Sequence, residues 1–493
     1  MVCGTASNAG KSHVVTGLCR LLSRRGVKVA PFKAQNMALN SYVTPAGHEI
    51  GRAQGIQALA AGVEPDVAMN PILLKPTGER TSQVVVNGRP IGHLSAMEYH
   101  DRKPALFETV LASLADLRTR YDVVIVEGAG SPAEINLLEH DIVNLPLARA
   151  AGLPAVVVGD IDRGGVFAAC YGTVALLPDR YRDLVRGFVI NKFRGDPALL
   201  GEGLAELERR TGVPTLGVLP WLHDVALDAE DSLALSGPGP RSSGGPVADP
   251  LDVAVVRLPR ISNFTDVDAL AIEPGVHVRL VEDGGALGDP DLVVLPGSKA
   301  TVSDLDWLRG RGLDRAIATC RPAGTTVLGV CGGYQMLGRR IVDRVESGRG
   351  RVDGLGWLEV DTEFEPTKTT RQRRGHAAGA RVSGYEIRHG RIEVVGPERG
   401  WIHLDDAYGA EVEGARSGDG RVLGTSLHGL FEEDAFRSAF LQAVATRRTK
   451  RFVPAGVSFA AARRTQWDRL ADLLEAHLDL GALESLIGEG GAR

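Results

Sequence analysis

The chain has 493 residues, of which 44% are hydrophobic and 24% charged, and its formal net charge is -5. This length predicts about two to four domains, and this charge balance gives no overall attraction to nucleic acid or to a membrane surface. No apolar run reaches the roughly eighteen residues of a membrane-spanning helix, and the N-terminus lacks a secretory signal pattern.

The first motif is a glycine-rich loop, Gly4-Thr-Ala-Ser-Asn-Ala-Gly10-Lys11-Ser12, followed by an amphipathic stretch. Backbone N–H groups of such a loop surround a phosphate, the lysine reaches the outer phosphates and the serine hydroxyl can ligate Mg²⁺. The strict pattern would place glycine at Thr5, whereas here the leading glycine is Gly4, which resembles the longer loop of dethiobiotin synthetase-like enzymes. We predict that Gly4, Thr5, Gly10, Lys11 and Ser12 bind ATP.

Only Met1-Val-Cys3 precedes this loop. Because strands commonly have about five or six residues, we expect either that the first strand is short or that the true start lies upstream.

Two further apolar runs end in charged residues. Residues 27–32 lead into Lys33, which can face phosphates or an anionic acceptor, although a solvated loop lysine is an equal alternative. Residues 121–126 lead into Glu127. Because a buried parallel strand delivers an acid beside a phosphate-binding loop in this way, Glu127 together with Ser12 is our Mg²⁺ candidate.

The next strands continue the same alternation. Residues 154–159 lead to Arg163, which could steady a transferring phosphoryl group or lie in a surface turn, and residues 187–190 lead to Asn191. The segment around Asn191 resembles the base-recognising loop of related nucleotide enzymes, which implies a contact with adenine. Strands alternating with helices predict a doubly wound parallel sheet with ligands at the carboxyl ends of its strands.

A Gly/Pro/Ser-rich stretch at 236–246 predicts a linker between two domains. We expect a P-loop domain at 1–235, the linker at 236–250, a second α/β domain at 251–450, and a helical tail at 451–493 packed on the rest. The basic stretch 367–379 favours a flexible solvated loop over a lid that gathers carboxylates.

The second domain contains a nucleophile elbow, Val327-Leu-Gly-Val-Cys331-Gly332-Gly-Tyr-Gln-Met-Leu337. Here a strand turns sharply into a helix, and the glycines permit backbone angles that a Cβ would forbid. The helix N-terminus beyond the sulfur favours the reactive thiolate. A buried, inert cysteine is the alternative.

Two more strand ends supply the remaining parts of a hydrolytic site. His428 follows residues 422–427 and can deprotonate a thiol, and Gly297 follows residues 291–296 and can join Gly332 as an oxyanion hole. Cys331 and His428 in this setting resemble the class I glutamine amidotransferases, with a flavodoxin-like α/β fold. The His-x-Glu pair that is usual in such enzymes is missing because Leu430 occupies that place, so the third group is open, and Glu432 is a weak candidate.

Over nearly the whole chain the sequence resembles the cobyric acid synthase family. The stretches that carry this resemblance are residues 4–12, 30–41, 69–76, 126–136, 160–165, 330–337 and 383–387. The resemblance implies ATP- and Mg²⁺-dependent, glutamine-hydrolysing amidation of adenosylcobyrinic acid a,c-diamide at side chains b, d, e and g. It implies no tightly bound prosthetic group, because the corrinoid is the substrate.

Two alternatives remain open at this point. One is a sister amidotransferase, such as cobyrinic acid a,c-diamide synthase or a cell-wall amidase. The other is a regulatory P-loop ATPase with an inactive amidotransferase domain, although the presence of both Cys331 and His428 argues against it.

Five cysteines without a CxxC pair favour a reducing compartment. We therefore expect a cytoplasmic enzyme of small-molecule substrates, without nucleic-acid or membrane partners.

Overall fold

The computed structural model describes residues 1–78, 80–222, 249–397, 399–405 and 411–491. The predicted linker at 236–246 lies outside these residues. The elements on either side of it form two α/β halves.

The first half contains twelve strands and seven helices within the described residues. The strands are β1 (Val2–Gly4), β2 (Val29–Phe32), β3 (Gln35–Met37), β4 (Ser41–Val43), β5 (Glu49–Gly51), β6 (Ile72–Pro76), β7 (Thr81–Val86), β8 (Arg89–Ser95), β9 (Val123–Val126), β10 (Ala155–Asp160), β11 (Val185–Phe193) and β12 (Thr215–Pro220). The helices are α1 (Lys11–Arg24), α2 (Arg52–Ala60), α3 (Ala96–Arg120), α4 (Leu145–Ala151), α5 (Val166–Ala175), α6 (Asp179–Arg182) and α7 (Gly201–Thr211).

A parallel sheet forms the centre of this half, in the order β1-β10-β11-β12, and the parallel pair β2-β9 joins it through a bridge between Val2 and Glu127. Strand β10 is buried along its whole length. Its continuous apolar run is explained by apolar cores on both faces of the sheet. Beside this sheet lie a mixed sheet, β3-β6-β7-β8, and the hairpin β4-β5.

The second half contains the remaining described elements. Its strands are β13 (Leu251–Val256), β14 (Ile261–Ser262), β15 (Val276–Val281), β16 (Leu292–Leu295), β17 (Gly297–Ser298), β18 (Thr326–Val330), β19 (Arg340–Asp343), β20 (Gly350–Asp353), β21 (Val360–Ala377), β22 (Ala380–Val394), β23 (Ile402–Leu404), β24 (Glu411–Glu413), β25 (Ala415–Arg416) and β26 (Val422–Thr425). Its helices are α8 (Asp268–Ala271), α9 (Thr301–Gly310), α10 (Leu313–Cys320), α11 (Gly332–Leu337), α12 (Asp434–Arg447), α13 (Phe459–His477) and α14 (Leu480–Gly491).

Five parallel strands of this half lie in the order β15-β13-β16-β18-β26, and β25 is added antiparallel at the edge. Numbered along the chain, this is the order 2-1-3-4-5 of flavodoxin-like folds. The expected α/β architecture is therefore confirmed in both halves. The carboxyl ends of β16, β18 and β26, which are neighbours in the sheet, carry the segments on which the sequence placed a hydrolytic site.

The basic stretch 367–379 is not a loop. It forms the end of β21 and the turn of a long antiparallel hairpin with β22, in which Arg371 pairs with Glu386. Arg373 pairs with Glu411 of β24. The prediction of a flexible segment was wrong because these charges are neutralised across strands, a contact that the local sequence does not reveal.

The C-terminal helices pack on the first half of the chain. Leu470 and Leu474 of α13 lie against Gly17 of α1, where an added Cβ would approach a Leu474 methyl carbon to 2.7 Å. Ion pairs flank this contact, including Arg20–Asp468 at 2.8 Å. Within the described ranges, no helix has the length and apolar character needed to span a membrane.

Candidate active site

The Cys331 side chain stands on a strained turn between β18 and α11. Its backbone has φ 50° and ψ -104°, an unfavourable conformation for a residue with a Cβ. Glycine is required on its C-terminal side, because a Cβ at Gly333 would lie 1.9 Å from the Leu295 carbonyl oxygen. The sulfur is nearly buried and lies 3.7 Å from the Ile387 carbonyl oxygen of β22.

His428 lies just beyond β26, beside β18, and its ring is held by Asp266. The distance from Nδ1 to Asp266 Oδ2 is 2.7 Å, and because a carboxylate only accepts, the ring N–H donates. The other carboxylate oxygen accepts from the Gly429 N–H at 2.8 Å. This arrangement fixes the imidazole with Nε2 directed away from Asp266.

The surroundings of His428 favour its charged form. Burial alone would lower the pKa of His428, but the charges of Asp266 and Cys331 together raise it to about 10. Nε2 is buried, and the Cys331 side chain interacts with the ring and helps to raise this pKa. The geometry supports a Cys–His pair in which a carboxylate aligns the imidazole.

Gly297 and Gly332 approach this pair closely. A Cβ at Gly297 would lie 2.9 Å from His428 Cε1, and a Cβ at Gly332 would lie 2.7 Å from the Ser298 backbone nitrogen. The predicted oxyanion glycines are therefore brought together with Cys331 and His428 at the ends of neighbouring strands.

Glu432, the sequence candidate for the third group, has other partners. Its carboxylate pairs with Arg463 of α13 at 2.9 Å and with Arg52 of α2 at 3.1 Å. These two guanidinium groups lower the pKa of Glu432 to about 2, although burial opposes them. Glu432 therefore joins three parts of the chain, and Asp266 contacts the histidine.

The phosphate-binding loop has the expected backbone form. Asn8 and Gly10 have positive φ, and Lys11 folds back so that Nζ donates to the carbonyls of Ala6 at 3.0 Å and Gly130 at 3.1 Å. The Thr5 N–H donates to the Val158 carbonyl at 2.9 Å and so anchors the start of the loop to β10.

The buried Glu127 carboxylate lies at the centre of a polar cluster below this loop. One oxygen accepts from Ser12 Oγ at 2.9 Å and pairs with Lys33 Nζ at 2.9 Å. The other accepts from Gln57 Nε2 of α2 at 2.6 Å. Ser12 and Lys33, which the sequence singled out separately, thus contact the same oxygen of Glu127.

Asn191 and Arg163 lie at the same edge of the sheet. The Asn191 amide N–H donates to the Ala9 carbonyl at 2.9 Å, so its side chain braces the loop, and its contact with adenine stays a prediction. Arg163 is 65% exposed and lies 3.6 Å from Asp160, which also pairs with Lys192.

Each half of the chain matches a known protein-family model. Residues 1–234 match the model of the CobQ/CobB/MinD/ParA nucleotide binding domain, and residues 252–436 match the CobB/CobQ-like glutamine amidotransferase domain. The chain is 56% identical to cobyric acid synthase of Rhodococcus jostii over 99% of this chain and 95% of that protein. The chain belongs to the cobyric acid synthase family.

Other cobyric acid synthases are equally similar. The protein of Frankia casuarinae is 55% identical over 99% of this chain and 96% of its own length, and that of Streptomyces coelicolor is 56% identical over the same shares. Among solved structures, a glutamine amidotransferase matches 39% of this chain and 98% of its own length at 21% identity, with a TM-score of 0.32.

Two residues at the sites of this cobyric acid synthase family member were not predicted from the sequence. Asp266 is 162 positions from His428 and follows β14, which has only two residues. Gln57 lies inside α2, 70 positions from Glu127. For Asp266 the sequence offers only a polar residue between two strands. The left-handed conformation of Asn263, which begins this segment, is seen only in the folded structure.

Proposed function

We propose that this chain makes amides from carboxylic acids of a corrinoid, using ATP for activation and glutamine as the nitrogen source. As a member of its family it is a glutamine-dependent amidoligase of cobalamin biosynthesis. The finer assignment is amidation of adenosylcobyrinic acid a,c-diamide at side chains b, d, e and g. The observation that carries the proposal is that one chain holds a carboxylate-aligned Cys–His pair and a P-loop with its acid.

The second half, which we assign as 251–450, releases ammonia. The Cys331 thiolate attacks the side-chain carbonyl carbon of glutamine, and the backbone N–H groups near Gly297 and Gly332 stabilise the oxyanion. As the C–N bond breaks, His428 gives its proton to the departing nitrogen. Water then attacks the γ-glutamyl thioester, His428 accepts the proton, and glutamate leaves.

The first half, which we assign as 1–235 with the tail 451–493 packed on it, activates the acceptor. A corrinoid carboxylate attacks the γ-phosphorus of ATP, giving an acyl phosphate and ADP, and ammonia then displaces phosphate to form the amide. Lys11 and Lys33 are placed to offset the charge of the transferring group, and Arg163 is a further cation at this edge.

The donors beside the loop fit Mg²⁺. Ser12 Oγ and a Glu127 carboxylate oxygen lie 2.9 Å apart and would hold the ion together with nucleotide phosphates. When bound, Mg²⁺ neutralises phosphate charge. Among the residues that the structure describes, no group of three or more His, Cys, Asp or Glu side chains could hold a metal. In this proposal nucleotide phosphates and water complete the coordination.

Helix α2 links the two sites. Gln57 contacts Glu127 below the phosphate loop, while Arg52 on the same helix pairs with Glu432 in the turn after His428. Five residues of helix correspond to a rise of about 7.5 Å. One short helix therefore contacts residues beside both sites, and in this proposal unprotonated ammonia passes internally from one site to the other.

The test is mass spectrometry of the corrinoid after incubation with ATP, Mg²⁺ and glutamine. Each amidation replaces a hydroxyl by an amino group, so the mass shift counts the amides formed. Conversion of the a,c-diamide with four such shifts is expected. Conversion of unamidated cobyrinic acid, with the a,c-diamide left unchanged, would identify the sister activity instead.

A further inference from the structure

Strand β22 passes beside the glutaminase site and contacts both reacting residues, through the Tyr385 ring and the Ile387 carbonyl. The Tyr385 ring stacks on the His428 ring with 5.4 Å between centroids and 29° between planes. Two residues on, the Ile387 carbonyl oxygen lies 3.7 Å from Cys331 Sγ. Glu386, between them, points to the other face and pairs with Arg371 and Arg388, as the alternation of a strand requires.

Tyr385 is also tied to the His428 backbone. Each residue donates its N–H to the carbonyl of the other, at 3.1 and 2.9 Å. This bridge lies outside the parallel sheet and holds the segment after β26 against β22. A displacement of Tyr385 would therefore move the His428 imidazole in two ways, through the stacked rings and through the paired backbones.

The Tyr385 hydroxyl reaches the other half of the chain. It donates to the Ser41 carbonyl of β4 at 3.0 Å, and Tyr42 packs its ring 6.2 Å from the Tyr385 ring. Burial raises the pKa of Tyr385 far above its ordinary value, so the hydroxyl stays a neutral donor. The stacked phenol is thus fixed at its far end by the P-loop half.

The backbone of Ser41 also contacts the segment that carries the aligning carboxylate. The Ser41 N–H donates to Asn263 Oδ1 at 2.8 Å, and Asn263 lies three residues before Asp266. One residue of the P-loop half thereby supports both neighbours of His428, namely the Tyr385 ring and the segment that carries Asp266.

The Ser41 side chain continues this connection toward the interior of the P-loop half. Its hydroxyl bonds Glu49 and Lys75, both at 2.8 Å, and Glu49 also pairs with Lys368 of β21 at 2.5 Å. All four side chains are buried. The position of Ser41 is therefore set by a charged cluster shared by the two halves.

We propose that Tyr385 is a positioning residue for His428 and that its hydroxyl, anchored on Ser41, makes the glutaminase rate depend on the docked position of the P-loop half. This rests on the proposed role of His428. Tyr385 touches neither glutamine nor ATP in this proposal and acts only through the imidazole.

The test compares Tyr385→Phe, which keeps the ring and loses the anchor, with Tyr385→Leu, which loses both. The control is Tyr171→Phe, because Tyr171 is exposed on α5. Glutamate release and ammonium-dependent amidation are measured with the full chain, ATP and the corrinoid. For Tyr385→Phe we expect kcat for glutamine to fall about 3- to 10-fold with KM unchanged, since a neutral hydrogen bond is lost.

For Tyr385→Leu we expect about a further tenfold loss of kcat as stacking disappears, while ammonium-dependent amidation stays at the parental rate in both variants. An unchanged kcat in Tyr385→Phe, a change in KM alone, or an equal loss with ammonium would overturn the proposal. Cys331→Ser is measured in parallel, because glutamine use by that variant would refute the glutaminase assignment itself and not the role of Tyr385.

Discussion

Replacing Asp266 by Asn tests the carboxylate that aligns the histidine. In the parent, one carboxylate oxygen accepts from the His428 ring and the other from the Gly429 N–H, at 2.7 and 2.8 Å. An amide has only one oxygen, so in either orientation its NH₂ group opposes one of these two positions. If the NH₂ group faced the ring, Nδ1 would have to accept, and the neutral imidazole would carry its hydrogen on Nε2. Nε2 could then not accept a proton from the Cys331 thiol.

The size of the effect follows from the bond that is lost. A buried hydrogen bond to a charged group contributes about 1.5 to 3 kcal/mol, and 1.36 kcal/mol of barrier is about a factor of ten in rate. We therefore expect kcat for glutamine hydrolysis to fall by about 10- to 160-fold in Asp266→Asn. Ammonium-dependent amidation should be unchanged, because it bypasses Cys331.

The assay is glutamate release under saturating glutamine, with ammonium-dependent amidation of the same preparation as the measure of intact folding. Asp306→Asn is the matched control, because Asp306 forms an exposed ion pair with Arg349 that contributes little. If Asp266→Asn released glutamate at the rate of Asp306→Asn, the alignment of His428 by this carboxylate would be refuted.

Three further outcomes are expected. Cys331→Ser should abolish glutamine-supported amidation and spare the ammonium-supported reaction; amide formation from glutamine by this variant would contradict the nucleophile. Lys11→Ala should remove amidation with either nitrogen source, as measured by the corrinoid mass, and retained turnover would exclude its role at the phosphates. The pKa of His428 is raised from 6.5 to about 10, so its charged contacts stabilise the fold fully below pH 6.5 and are lost as pH rises through about 10. The Tm advantage of the parent over Asp266→Asn should therefore shrink as pH rises from 6.5 to about 10, and an advantage that stays constant over this range would contradict the charged origin.

The parts of the site that the sequence placed well are local to a strand end. Cys331 and His428 each follow an apolar run, and parallel strands bring their carboxyl ends to one edge, so their approach needed only the fold class. The glycines at these turns were also predictable from the sequence, because a Cβ at these positions would collide with backbone atoms.

The parts that the sequence misplaced depend on partners far along the chain. Glu432 lies four residues after His428, yet its charge is taken by Arg52 and Arg463, which come from a different half and from the tail. Asp266 reaches the ring from a four-residue 3₁₀ helix, Phe264–Val267, which is too short to show a periodic pattern. Asn191 is a different case, since its residue type suits recognition of a base and equally suits the observed contact that braces the loop.

The two halves are interleaved along the chain, because its C-terminal helices α13 and α14 pack on the first half. After completing the amidotransferase sheet, it returns to cover the outer face of α1 with Leu470 and Leu474 and matches Arg20 with Asp468. Severing the polypeptide at residues 236–246 would therefore not yield two self-sufficient proteins, because the nucleotide-binding fragment would lack its own outer layer. Separate expression of the two halves of this chain would have to move α13 and α14 to the nucleotide-binding fragment.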